Sequence, residues 1–127
     1  MRITRVLAVL LCLAASLSTA RTARADPPID TWQWYTCKPT QAYVHLGKHF
    51  QVKCAVGWYH PVTEVVITRF AIPTTDAAEV AQAMATVHTA QISGKDVRLY
   101  FREDSSGNPS GCGTADCRLF AGIGVRD

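Results

Sequence analysis

Four cysteines, Cys37, Cys54, Cys112 and Cys117, limit what this chain can fold into more than any other feature. A fifth, Cys12, lies in a segment of different character. There Met1-Arg2-Ile3-Thr4-Arg5 precedes an apolar run from Val6 to Leu17, the charged start and apolar centre of a secretory signal. The run is shorter than the about 20 residues a bilayer span needs. Ala23-Arg24-Ala25 supplies the small residues of a cleavage site. The expected organisation is therefore a signal peptide over residues 1–25, cleaved after Ala25, and one domain over residues 26–127. Cleavage after Ala20 is the alternative. An uncleaved anchor is a further alternative; a lipoprotein fits less well still, because Cys12 sits inside the apolar run without the small residues that precede a lipidated cysteine. The remaining chain of about 102 residues is small enough to need covalent support. Four cysteines in an exported chain, secreted or periplasmic, read as two disulfides with three possible pairings. Zinc is the rival use, but Cys37 and Cys54 lack the close spacing of a ligand pair.

Loss of the first segment also changes the charge. Arg2, Arg5, Arg21 and Arg24 lie in it with no acid, so removing four positive charges from the whole-chain +3 leaves −1. A nucleic-acid-binding domain carries a basic excess or stripe, and none is expected here. No apolar run after residue 25 is long enough to span a membrane.

Thr31 to Val44 is rich in Trp, Tyr, Thr and Val and predicts a strand, with Pro39 implying an edge or a bulge. His45-Leu46-Gly47-Lys48 predicts a turn. Phe50, Val52, Cys54, Val56 and Trp58 then alternate with Gln51, Lys53, Ala55, Gly57 and Tyr59, the period of a strand with one face buried. If the turn centres between His45 and Leu46, Cys37 falls opposite Cys54, which predicts a Cys37–Cys54 bridge. Cys112–Cys117 would be the second. His60-Pro61 marks a turn, and Thr63 to Ile72 predicts a third strand. Asp76-Ala77-Ala78-Glu79 has the form of a capping box, with Thr75 as a rival cap. The helix it opens runs to Ser93 with Val80, Met84 and Val87 on one face, and Gly94 stops it. Val97 to Arg102 and Arg118 to Val125 predict the last two strands, the latter with Leu119, Ala121, Ile123 and Val125 on one face. Between them Ser105 to Gly113 is a polar loop. The expected class is mainly β with one helix (α+β). Its order, β-β-β-α-β-β, is that of an OB-fold-like five-stranded Greek-key barrel.

Chemistry is sparse. Oxidised cysteines offer no thiolate, and no nucleophile elbow or phosphate loop is present. His45 and His49 flank a turn, where both are expected to be solvated, not on a helix that would aim them at one metal. His60 is expected as a turn residue and His88 as a packing or interface residue. No pair of carboxylates suggests glycoside hydrolysis. We expect no catalytic residues, no metal and no cofactor.

Aromatic residues carry more information. Trp32, Trp34 and Tyr35 cluster near the start of the domain, and Trp58 with Tyr59 at the end of the second strand. Flat rings with a polar edge stack on sugar faces, although they also fill cores. Trp58 shares an apolar face and is expected in the core. Trp32, Trp34, Tyr35 and Tyr59, with Arg98 and Tyr100 on one face of the fourth strand, are the candidate ligand-binding residues. The helix is smooth and almost uncharged, with Ala77, Ala78, Ala81, Ala83, Ala85 and Ala90. Its side opposite Val80 is a candidate contact between subunits, with a monomer as the alternative.

Two stretches carry a resemblance: Val65-Val66-Ile67-Thr68, and Ala90-Gln91-Ile92-Ser93-Gly94-Lys95-Asp96-Val97-Arg98-Leu99-Tyr100. With Leu119 to Val125 as a last barrel strand, residues 64–125 resemble the B subunits of bacterial AB-type toxins, the subtilase-cytotoxin and pertussis-like subunits in particular. The Cys112-x4-Cys117 spacing occurs in some members after the last strand, whereas here it precedes it. The resemblance implies an OB-fold barrel, a homo-oligomeric ring of five, glycan binding without catalysis and a separate catalytic subunit. The family's sugar-contacting residues have no one-to-one match here, so the candidate site rests on aromatic clustering. The leading expectation is a secreted, non-enzymatic glycan-binding module. The alternatives are an inhibitor or partner-binding domain, and a small hydrolase using His60 or His88.

Overall fold

Pro39 has no amide hydrogen to give a sheet ladder, and it divides the expected first strand in two. The computed structural model describes residues 31–127; the expected signal peptide and its cleavage site lie outside them. Strand β1 (Trp32–Cys37) and strand β2 (Pro39–His45) are separated by Lys38 alone. Strand β3 (His49–Tyr59), strand β4 (Val66–Pro73), helix α1 (Ala77–Ser93), strand β5 (Asp96–Arg102) and strand β6 (Cys117–Arg126) follow.

The strands lie in the order β1-β5-β6-β4-β3-β2. Only β4 and β6 run parallel; the other neighbours are antiparallel. The two outermost strands are thus consecutive in the chain. One continuous segment pairs with β5 through its first half and with β3 through its second, which curls the sheet toward closure and removes most free edges. Lys38 is the corner: its carbonyl accepts the Ala55 amide at 2.9 Å. Beside it the Cys37–Cys54 disulfide ties β1 to β3, with Cα atoms 5.3 Å apart. The fold is the expected OB-type barrel, counted as six strands because the first is broken at its corner.

The expected hairpin register is wrong, although the disulfide is right. His45 pairs with His49 and Val44 with Phe50, so the turn centres on Gly47, whose φ of +70° suits a residue without Cβ. Cys54 accordingly faces Pro39, not Cys37. Thr40 is an extra residue at this point and donates its hydroxyl to the Lys53 carbonyl at 3.1 Å. That bulge and the corner at Lys38 bring Cys37 back to Cys54. The Cys112–Cys117 bridge is also present.

Two further expectations are corrected. Strand β4 begins at Val66 and not at Thr63. The His60 ring accepts the Val62 and Thr63 amides at Nδ1, at 3.2 and 3.1 Å, and Glu64 has a φ of +56°, so residues 61–64 form a tight turn. In β6, Phe101 pairs with Phe120 but Tyr100 with Gly122. Ala121 is therefore a bulge that reverses the alternation. Phe120 is buried and Ala121 exposed, the opposite of the expected faces.

The core joins Phe50, Val52, Ile67, Phe70, Leu99 and Phe101 from the barrel to Val80, Ala83, Val87 and Ala90 of the helix. The helix's buried stripe follows the 3-4-3 spacing of these four residues; Met84 sits at its margin. Asp76 caps the helix by accepting the Ala78 and Glu79 amides, and Gly94 ends it with φ +67°. Among the described residues no helix is long and apolar enough to cross a membrane.

Gly57 lies where β3 loses register with β4. A Cβ there would fall 2.9 Å from the Ile67 carbonyl oxygen and crowd Val66 and Thr68. Backbone cannot retreat as a side chain can, so Gly57→Ala is expected to cost about 2 kcal/mol. Urea unfolding of the oxidised protein measures it; a loss below about 0.5 kcal/mol would show that the hairpin shifts freely.

Candidate functional site

Alternation along β1 and β5 sends Trp32 and Trp34 to the same outer face as Arg98, Tyr100 and Arg102. The register completes the arrangement, because Trp34 lies opposite Tyr100 and Trp32 opposite Arg102. The Tyr100 ring packs against both indoles, with centroids 5.4 Å from Trp32 at 26° and 5.0 Å from Trp34 at 38°. The Arg98 guanidinium sits over the Trp34 ring at 5.0 Å, within the range of a cation–π contact. On the far side, β6 places Gly122 beside Tyr100 and Gly124 beside Arg98. These glycines add no side chain to the row. A Cβ at Gly122 would stand 3.3 Å from the Tyr100 Cβ and 3.7 Å from Trp34 Cη2. The result is an aromatic ladder with a smooth strip along it, and Trp34 is still 52% exposed.

Four of the six candidate residues, Trp32, Trp34, Arg98 and Tyr100, thus form one surface. Tyr35 does not join it. Its ring points inward, stacked on Phe70 at 5.6 Å and edge-on to Phe101 at 6.4 Å, and its hydroxyl donates to the Val56 carbonyl at 2.6 Å. Burial pushes its pKa up. Tyr59 is exposed but belongs elsewhere, at the end of β3 opposite Val66. Val56, Val62 and Val66 are exposed in the same hairpin. Trp58 is half-buried against Phe101 at 5.0 Å, as expected of a core residue.

The histidines differ from expectation at one position. His45 is exposed, but His49 is buried to 1% exposure. The loop after β5 covers it: His49 Nδ1 meets the Ser110 carbonyl at 2.7 Å, and Nε2 meets Gln51 Oε1 at 3.1 Å. Gln51 in turn donates to the Tyr43 hydroxyl at 2.5 Å. The ring is thus engaged at both nitrogens, by the loop at Ser110 and by the Gln51 side chain of its own strand. The His45 ring lies 4.4 Å from His49. Partial desolvation, then the positive charges of His49, Lys48 and Arg69, hold the His45 pKa below its ordinary value. Arg69 itself is engaged by the Asp116 carboxylate through two hydrogen bonds.

His60 has given its Nδ1 lone pair to two backbone amides, the turn role expected of it. His88 is exposed on α1. Among the described residues no three His, Cys, Asp or Glu side chains are placed to hold a metal ion.

Two polar residues that sequence analysis did not single out organise the loop between β5 and β6. Arg118 is buried and donates to three backbone carbonyls. Asp104 accepts from Arg102 Nε at 2.5 Å, from the Ser106 amide at 2.8 Å and from the Ser106 hydroxyl. Burial pushes its carboxyl up, but the bonds from Ser106 and Arg102 together outweigh this and hold the pKa below the usual value. A depressed folded-state pKa stabilises above the unfolded value of about 3.9 and is lost as pH falls through the folded value. Asp104→Asn is therefore expected to flatten the acid side of the stability profile below about pH 4. Urea midpoints taken between pH 5 and pH 2 measure this, and parallel profiles for the two proteins would refute it.

No family model, no curated protein and no solved structure matches the chain.

Proposed function

We propose that the protein is an exported, non-enzymatic binding module that recognises glycans through the Trp32–Tyr100–Trp34 ladder. The observation that carries this reading is the exposed indole of Trp34. It is held in place by Tyr100 and Arg98 and bordered by Gly122, where a side chain would otherwise stand. An exposed aromatic plane fixed by its neighbours meets the apolar face of a sugar with little loss of side-chain entropy. The disulfides suit a chain that folds in an oxidising compartment, in keeping with secretion or a periplasmic location. The likeness to toxin B subunits adds a homo-oligomeric ring and a separate catalytic subunit to the proposal. The exposed side of α1 away from Gln82, with Ala81, Ala85, Thr89 and Ile92, is smooth enough for a close subunit contact.

The test is a glycan array on the oxidised protein, with its mass in solution measured alongside. Trp34→Ala is expected to weaken the best array ligand by about five- to a hundredfold, taking the about 1–3 kcal/mol of base stacking on an aromatic ring as the guide. An unchanged affinity, or an array with no ligand, would remove the ladder from the account. A second reading, capture of a partner protein, draws on the exposed Val56, Tyr59, Val62 and Val66 of the β3–β4 hairpin. A stable one-to-one complex lost on Tyr59→Asp would favour it. The hydrolase reading is weakened by the engagement of His60 Nδ1 in its turn.

A further inference from the structure

Between the first half of α1 and strand β6 lies a cleft of ≈ 240 Å³. Its helix wall carries Glu79 and Gln82; its strand wall carries Phe120, Ala121, Gly122 and Ile123. The Ala121 bulge interrupts regular pairing along this stretch of β6. Gly122 belongs to the cleft and to the edge of the ladder at once, because its missing Cβ would stand 3.7 Å from Trp34 Cη2. The Trp34 ring therefore lies beside one residue of the cleft wall, and no side chain at position 122 stands between them.

We propose that the ligand is a neutral oligosaccharide of at least two pyranose units, one stacked on Trp34 and the next lying across Gly122 in this cleft. The inference rests on the glycan-binding reading above and adds a second subsite to it. The cleft is smaller than the about 300–1,000 Å³ typical of sites that enclose a drug-sized ligand, which suits one ring and not a branched glycan. Its two walls match the two aspects of a sugar. Ala121, Gly122 and the half-exposed Ile123 meet the C–H face, while the Glu79 carboxylate and the Gln82 amide accept and donate hydrogen bonds at the hydroxyl edge. Glu79 also sets the charge, since an acidic sugar in the cleft would put a second carboxylate beside it. Neutral rings fit, and the chain of the ligand runs from β1 over β6 toward α1.

The test uses the full oxidised protein and neutral homo-oligosaccharides of one to four units, of cello-, malto- and N-acetylchito- types, titrated by tryptophan fluorescence. In at least one series the two-unit ligand should bind roughly tenfold tighter than the one-unit ligand, with little further gain at four units. Gln82→Arg, which fills the cleft from an exposed helix position, and Glu79→Gln with Gln82→Ala should each bring the two-unit to one-unit ratio down to about one. Binding that depends on Trp34 but shows no length dependence, or a length dependence that survives these helix variants, overturns the cleft while leaving the ladder. Binding to none of these series, or binding indifferent to Trp34→Ala, overturns the ladder reading and the cleft with it. Circular dichroism on each variant separates loss of a contact from loss of the fold.

Discussion

Replacing both Cys37 and Cys54 by alanine is expected to lower the unfolding free energy by about 3 kcal/mol, the loop-closure value for a span of this length. The sequence separation is 17 residues. The location adds a structural consequence. This bridge stands where β1 gives way to β2 at Lys38, the corner that lets one segment pair with both β5 and β3. The paired variant should therefore show weaker hydrogen-exchange protection at the Ala55 amide, which binds the Lys38 carbonyl across that corner. Removing the Cys112–Cys117 pair, separated by 5 residues, should cost less, about 2 kcal/mol by the same loop relation. Urea denaturation of the three oxidised proteins checks the order. Equal losses, or a loss below about 1 kcal/mol for the first variant, would mean that the corner holds itself without the bridge.

The elements of this fold were legible wherever local chemistry alone decides them. Asp76 and Gly94 bound the helix because a carboxylate can accept orphan amides and a glycine can take positive φ, and both devices operate within four residues. Val97, Leu99 and Phe101 alternate inward as their period predicts. Trp32, Trp34, Arg98 and Tyr100 were legible singly, and the pairing of β1 with β5 then stacks them into one surface. What was not legible is set by distant parts of the chain. Alternation in β3 places His49 and Gln51 on the face opposite Phe50 and Val52, which locally reads as solvated. They are buried because the loop carrying Ser110 folds over them. Tyr35 was misjudged for a similar reason: its parity opposes that of Trp34, but a barrel gives the inward side to Tyr35 and the outward side to Trp34. The bulges at Thr40 and Ala121 each shift a register by one residue; Pro39 announced the first, but Ala121 has nothing in its own chemistry to announce the second. The Cys37–Cys54 bridge illustrates the point in reverse, since the pairing survives although the register that suggested it does not.

Arg118 is where this distant control has its largest expected effect. The side chain is only 3% exposed, a costly place for a guanidinium unless every donor is used. Nε donates to the Glu103 carbonyl, and Nη1 to those of Thr114 and Cys117, each at 2.7 Å. The three acceptors lie at the two ends of the β5–β6 loop, so one cation ties the loop closed from within. Burial pulls the Arg118 pKa down, against the favourable charges of Asp104 and Asp116; the group still stays protonated throughout the stable pH range. Arg118→Met keeps much of the volume but takes the donor from the Glu103 and Thr114 carbonyls, while the Cys117 carbonyl keeps Asn108 Nδ2; each fully unsatisfied group costs about 1–3 kcal/mol. With two carbonyls affected and some access to water, the expected loss is about 3 kcal/mol. Arg118→Lys retains the charge but not the planar fork, so it should recover only about half of that loss. The Asn108 side chain, which bonds the Cys117 carbonyl and the Leu119 amide, should lose its hydrogen-exchange protection along with the loop in the methionine variant. Unfolding in urea supplies the energies. If Met and Lys prove equivalent, volume and not hydrogen bonding is what Arg118 contributes. If both lie within about 1 kcal/mol of the parent, the loop is held by its disulfide alone.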